Sequence, residues 1–212
     1  MSSITTATIE KTSVSFEKFA GKVAVLAGLV HFLYAVAFVV ISRSMPELGT
    51  FLSAVFLLLA GLLSMTALNG AYQRLKEVDS AFALYALLLG SIAQLGATIH
   101  GGFDLANLIN PPAIANNPDL PSQIDPRGLV TFGLMGLAIL VFSWLMGRSH
   151  RFPTGLAYLG YVLGALLIVI YLARLIVLSP ASPILLIPVL VSGFVVNPAW
   201  YIWLGLNLGQ GK

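Results

Sequence analysis

Six apolar stretches, each close to the length needed to cross a bilayer, fill most of this 212-residue chain. They run near Val23–Ile41, Leu48–Leu68, Ala81–His100, Leu129–Met146, Leu156–Ile176 and Ile184–Leu206. A hydrocarbon core of about 30 Å takes roughly 20 apolar residues in a helix, so each stretch reads as one span. The expected fold class is an all-α membrane protein with six transmembrane helices in one bundle. Residues 1–18 read as a polar N-terminal tail, and residues 19–212 as one six-helix transmembrane domain.

Composition agrees with that environment. Apolar residues make up 58% of the chain and charged residues 9%, and the mean hydropathy is +0.94. A soluble domain carries about 25% charged residues and needs them to cover its surface. The formal net charge of +3 is scattered over loops and makes no nucleic-acid footprint. There is no cysteine, which excludes disulfides, thiolate ligands and cysteine nucleophiles. Ala35-Val36-Ala37 has the small-residue form of a signal-peptide cleavage site. The leader before it is long and carries Glu10 and Glu17, which signal peptides avoid, so the first stretch is expected to be retained.

The cations divide between alternate loops. Lys11, Lys18, Lys22, Arg74, Lys76, Arg148, Arg151 and Lys212 fall on one side, and Arg43, Arg127 and Arg174 on the other. Positively charged loops stay in the cytoplasm, so both termini are expected there, as an even number of spans requires. The third loop, Asn110–Arg127, then faces outward. It holds Pro111, Pro112, Pro118, Pro121 and Pro126 and reads as an irregular cap. His150, beside Arg148 and Arg151, reads as anchoring against anionic headgroups.

Two stretches carry packing signals. Gly160-x-x-x-Gly164 in the fifth reads as a close helix contact. Pro188, Gly193, Asn197 and Pro198 interrupt the sixth, which is expected to kink or to break beside a cavity. Trp200, Tyr201 and Trp203 then fall near the inner membrane face, where aromatic rings commonly anchor.

Ionisable residues within spans are expensive and usually face the bundle interior. At about 100° per residue, Ala86, Ala93, Gly96, Ala97, His100, Asp104 and Asn107 share one face of the third span. His100 and Asp104 are four apart, so their side chains can meet. Gly101-Gly102 between them invites a bend. Counted at 1.5 Å per residue from Gly155, Arg174 lies about 28 Å up the fifth span; counted from Ser80, His100 lies about 30 Å up the third. An Asp104–Arg174 ion pair with His100 beside it is therefore expected near the outer boundary. It can be a structural pair, a ligand site under the third loop, or a metal or catalytic site. His31 lies about 14 Å deep in the first span, on a small face with Ala24, Ala27, Gly28 and Ala35. It reads as a buried polar residue, hydrogen-bonded to a carbonyl or hydroxyl, or as a protonatable switch or cofactor ligand. Asn197 in the interrupted sixth span is the other buried polar candidate.

The closing Asn197-Pro198-Ala199-Trp200-Tyr201-Ile202-Trp203-Leu204-Gly205 resembles the ending of a bacterial family of small six-helix membrane proteins of unknown function. That resemblance implies a bacterial inner-membrane setting and supplies no catalytic residues. His100-x-x-x-Asp104 resembles, more faintly, the ligands of intramembrane zinc hydrolases that act on lipid amides. Zinc takes at least three protein ligands there, and this chain offers one His and one Asp together. Walker-type, nucleophile-elbow, HExxH and GxGxxG patterns are absent.

The leading expectation is a non-enzymatic, multi-pass protein of the bacterial inner membrane. It would bind a small anionic or lipidic ligand, or a membrane partner or second copy, through His100, Asp104, Asn107 and Arg174. No cofactor, resident metal or nucleic-acid partner is called for. The alternatives are an intramembrane metal-dependent lipid hydrolase and a small transporter using His31 and the interrupted sixth span.

Overall fold

The computed structural model describes residues 2–111, 125–177 and 182–210, with side chains from Phe16 onward. The described residues are all helical or in short connections. Six helices are long and apolar enough to cross a membrane: α1 (Phe16–Ser44), α2 (Pro46–Leu75), α3 (Ser80–Ile109), α4 (Pro126–Arg148), α5 (Thr154–Ile176) and α6 (Pro183–Gly209). The helix carrying α1 already begins at Ser2.

Local chemistry sets the starts. Proline occupies the first turn of α2, α4 and α6, where its missing N–H costs nothing. The Asp79 carboxylate accepts from the Phe82 N–H and caps α3. In the first turn of α4, Arg127 and Gly128 take the chain through positive φ (57° and 82°). The buried Asp125 carboxylate then accepts from the backbone of Val130 and Thr131 and from the Thr131 hydroxyl.

Each helix packs on its neighbours in chain order, and α6 returns onto α1, closing a ring. On α3, small residues point inward and large apolar ones outward. Ala83, Ala86, Gly90, Ala93, Gly96 and Ala97 are buried, whereas Leu88, Ile92, Leu95 and Ile99 are exposed. That inverted pattern suits helices whose outer surface meets lipid and whose association depends on close backbone approach. The α1–α6 seam is one such instance. A Cβ added to Gly205 would lie 2.5 Å from the Gly21 carbonyl oxygen. In the Gly160-x-x-x-Gly164 segment, Gly164 approaches the Gly136 carbonyl on α4.

Several expectations are corrected. The helix is unbroken through Gly101-Gly102. Gly101 instead admits the α2 backbone, since a Cβ there would meet Leu58 N at 2.5 Å. The sixth span is interrupted around Gly193, as expected, but by a change to a π-helical segment, Ser192–Val196, and not by a break. Trp200 and Tyr201 are fully buried core side chains rather than interface anchors; of the three rings, only Trp203 is exposed. Arg74 is not a loop cation. It is 1% exposed, deep among α1, α2 and α6.

Two more π-helical segments occur where the sequence signals none, Val36–Ile41 in α1 and Leu129–Leu134 in α4. A π turn widens a helix by one residue and leaves backbone groups to be satisfied locally, and such turns are frequent at functional sites. In α1 the Ser42 hydroxyl donates to the Ala37 carbonyl at 2.9 Å.

Candidate functional site

The end of the bundle opposite the termini gathers polar groups from α1, α3 and α5. One turn separates His100 from Asp104 on the unbroken α3, and His100 Nε2 lies 3.4 Å from Asp104 Oδ2. Both are half-buried, as is Asn107 one turn further on. Arg174 sits in the last turn of α5. Its guanidinium lies over the Phe132 ring, 5.6 Å from the centroid, and Phe132 belongs to the π-helical segment of α4. The Tyr34 hydroxyl of α1 is within electrostatic reach of both Arg174 and Asp104.

Asp104 and Arg174 thus share one neighbourhood without closing a contact pair. Among the described residues the ion pairs are Arg74–Glu17, His100–Asp104 and Arg151–Glu77. Arg174 has no carboxylate within 4.0 Å among them. The loop expected to cap this region falls largely on residues 112–124, outside the described residues. Tyr34 and Phe132 were not read from the sequence as part of this cluster. A tyrosine and a phenylalanine in apolar spans give no signal until packing brings them beside a charge.

A second polar set lies deeper. His31 Nδ1 donates to the Ala27 carbonyl at 2.8 Å. Its ring stacks on Tyr201, with centroids 4.9 Å apart and 13° between planes. The buried Gln94 amide donates to the Tyr201 hydroxyl (3.3 Å) and the Met135 sulfur (3.2 Å). Ser64 lies beside the Tyr201 hydroxyl. His31 and His100 belong to separate clusters, and Asn197, half-buried at the end of the π-helical segment of α6, makes no side-chain hydrogen bond to either among the described residues. Gln94 was the detectable omission: it is a lone amide on the small face of an apolar span, and a buried amide there needs partners on other helices.

At the terminal end, Arg74 Nε and Nη2 donate to Glu17 Oε2 at 2.9 and 2.8 Å. Nη1 and Nη2 also reach the carbonyls of Asn207 (2.9 Å) and Leu208 (3.1 Å) at the end of α6. The Phe152 ring lies 5.4 Å from the guanidinium.

Among the described residues no three His, Asp, Glu or Cys side chains gather closely enough to hold a metal. His100 and Asp104 thus fall one donor short of a zinc site. Compared with protein-family models, curated proteins and solved structures, the chain matches none. The resemblance of its closing segment therefore assigns it to no family.

Proposed function

We propose that this is a multi-pass protein of a bacterial inner membrane, with both termini in the cytoplasm, that binds a small or lipidic anion through the cluster at the outer end of the bundle. The six apolar helices support the membrane, and the uneven division of lysine and arginine between alternate loops supports the orientation. One observation carries the ligand reading. Arg174 is a half-buried cation within a span, has no carboxylate within 4.0 Å among the described residues, and is flanked by an aromatic ring. A planar guanidinium grips carboxylate or phosphate through two parallel N–H donors and stacks on aromatic faces. Phe132 holds the plane of the fork; an anion supplies the missing charge. Asp104, oriented by His100, accepts a hydrogen bond from a hydroxyl or ammonium on the same ligand. Tyr34 and Asn107 add polar groups of either sense. A headgroup with an anionic centre and an adjacent donor matches this set.

The test is native mass spectrometry of protein released gently from its membrane, with thermal melting alongside. Wild type should retain a stoichiometric organic ligand. Arg174→Ala should lose it, and Asp104→Asn should lower occupancy about tenfold while the melting midpoint moves by no more than about 2 °C, under 1 kcal/mol for a chain of this size. Bare wild-type protein, or occupancy that falls only as far as stability falls, would leave a structural ion cluster. A stoichiometric metal lost in His100→Ala would replace this reading with the hydrolase.

A further inference from the structure

A groove of about 330 Å³ opens on the side of the bundle near the terminal end, between α1, α2 and α3. Phe16, Phe19, Met65 and Leu87 form its apolar walls, and Asn69 and Ser91 are polar groups within it. The amide is the rung of a ladder on α2. Lys76 Nζ donates to Gln73 Oε1 at 2.6 Å, and Gln73 Nε2 donates to Asn69 Oδ1 at 3.4 Å. Each amide oxygen thus accepts one bond within the ladder. The Asn69 amide N–H groups and the Lys76 ammonium keep donors for a ligand.

Lys76 also lacks a direct counter-charge. Of the carboxylates around it, Glu17 is held by Arg74 and Glu77 by Arg151, and Asp79 caps α3 at the Phe82 N–H. Lys76 touches no carboxylate among the described residues, and Lys18, next to the groove residue Phe19, is exposed.

We infer that this groove seats an anionic phospholipid of the leaflet on the terminal side, its phosphate at Lys76, its ester region along Gln73 and Asn69, and an acyl chain between the phenylalanines. Lys76 and Asn69 are separated by about 10 Å along the helix. The interfacial zone of one leaflet is about 5–8 Å thick, so an ammonium at phosphate depth puts the amide at the top of the hydrocarbon. A ladder of donors there satisfies ester oxygens that would otherwise have no partner. A zwitterionic headgroup offers the same phosphate but already balances it with its own ammonium, so it compensates the lysine less than a net anionic one. This site is separate from the Arg174 cluster at the other end and needs only the bundle's insertion in a membrane.

The experiment reconstitutes the full chain with equal amounts of phosphatidylglycerol and phosphatidylcholine, then counts retained lipids by native mass spectrometry. Wild type should retain the anionic lipid over the neutral one by about fivefold or more, the attraction of one lysine to an anionic surface. Lys76→Gln should cut that preference to less than twofold. Asn69→Leu, which removes the donors and leaves the lysine, should lower retention of both lipids at least threefold. Arg174→Ala should leave the preference unchanged. Equal retention of the two lipids by wild type, or a preference that survives Lys76→Gln, would overturn the assignment. Loss of preference in Arg174→Ala would move it to the other end of the bundle and overturn it equally.

Discussion

Removing Arg74 should unfold this protein more readily than any change to its exposed charges. The guanidinium is 1% exposed, and its contacts tie α2 to Glu17 on α1 and to two terminal carbonyls of α6. Arg74→Ala strands the Glu17 carboxylate, whose side chain is only 10% exposed. Breaking one half of a buried pair costs about 3–5 kcal/mol, because the remaining charge keeps its desolvation penalty without its partner. An exposed pair such as Arg151–Glu77 would cost at most about 1 kcal/mol. The two expectations differ enough for unfolding in mixed detergent, with increasing sodium dodecyl sulfate, followed by tryptophan fluorescence. Arg74→Lys should fall between, since a single ammonium can meet Glu17 but cannot fork to both carbonyls. The double change Arg74→Met with Glu17→Met should recover at least half of the loss, because apolar replacement of both partners removes the stranded charge. A cost below about 1 kcal/mol for Arg74→Ala, or a double variant no better than the single one, would refute the burial argument.

Gly205→Ala should destabilise the α1–α6 seam by about 1–3 kcal/mol, because its new methyl meets the Gly21 carbonyl rather than a flexible side chain. Gly209→Ala, with nothing within 4 Å, should stay within about 0.5 kcal/mol of wild type in the same titration. Tyr201→Phe should cost about 1–3 kcal/mol by leaving the Gln94 amide with only a thioether acceptor. Adding Gln94→Leu to that variant should restore part of the loss, and an additive further loss would speak against the hydrogen bond.

The six spans and the small buried face of α3 were legible because both follow from periodicity and hydropathy, which are local. The pairing of His100 with Asp104 was legible for the same reason, being one turn apart on one helix. Arg74 was not. In sequence it is one more cation in a positive loop, and its partner Glu17 lies 57 residues away. Trp200 and Tyr201 were misplaced because an aromatic pair near a span's end ordinarily marks the interface; here Gly160 of α5 makes room for the Trp200 indole, Tyr201 stacks on His31, and both rings are buried. The departure at Gly101-Gly102 has a related cause. Helix propensity in isolation penalises two glycines, but packing against the α2 backbone repays the missing side chain.

Closure of the ring by α6 on α1 has a consequence for synthesis. Helices made in order dock one after another, each on its predecessor, but the Gly21 and Gly28 side of α1 finds its match only when the last helix arrives. Until then the nascent protein is an open row with two unmatched flanks. Its final step joins segments at opposite ends of the sequence, the slowest kind of contact to make. A ribosome stalled before Pro183 would release a five-helix row able to borrow α6 from a complete neighbour, which makes domain exchange the characteristic failure of this architecture.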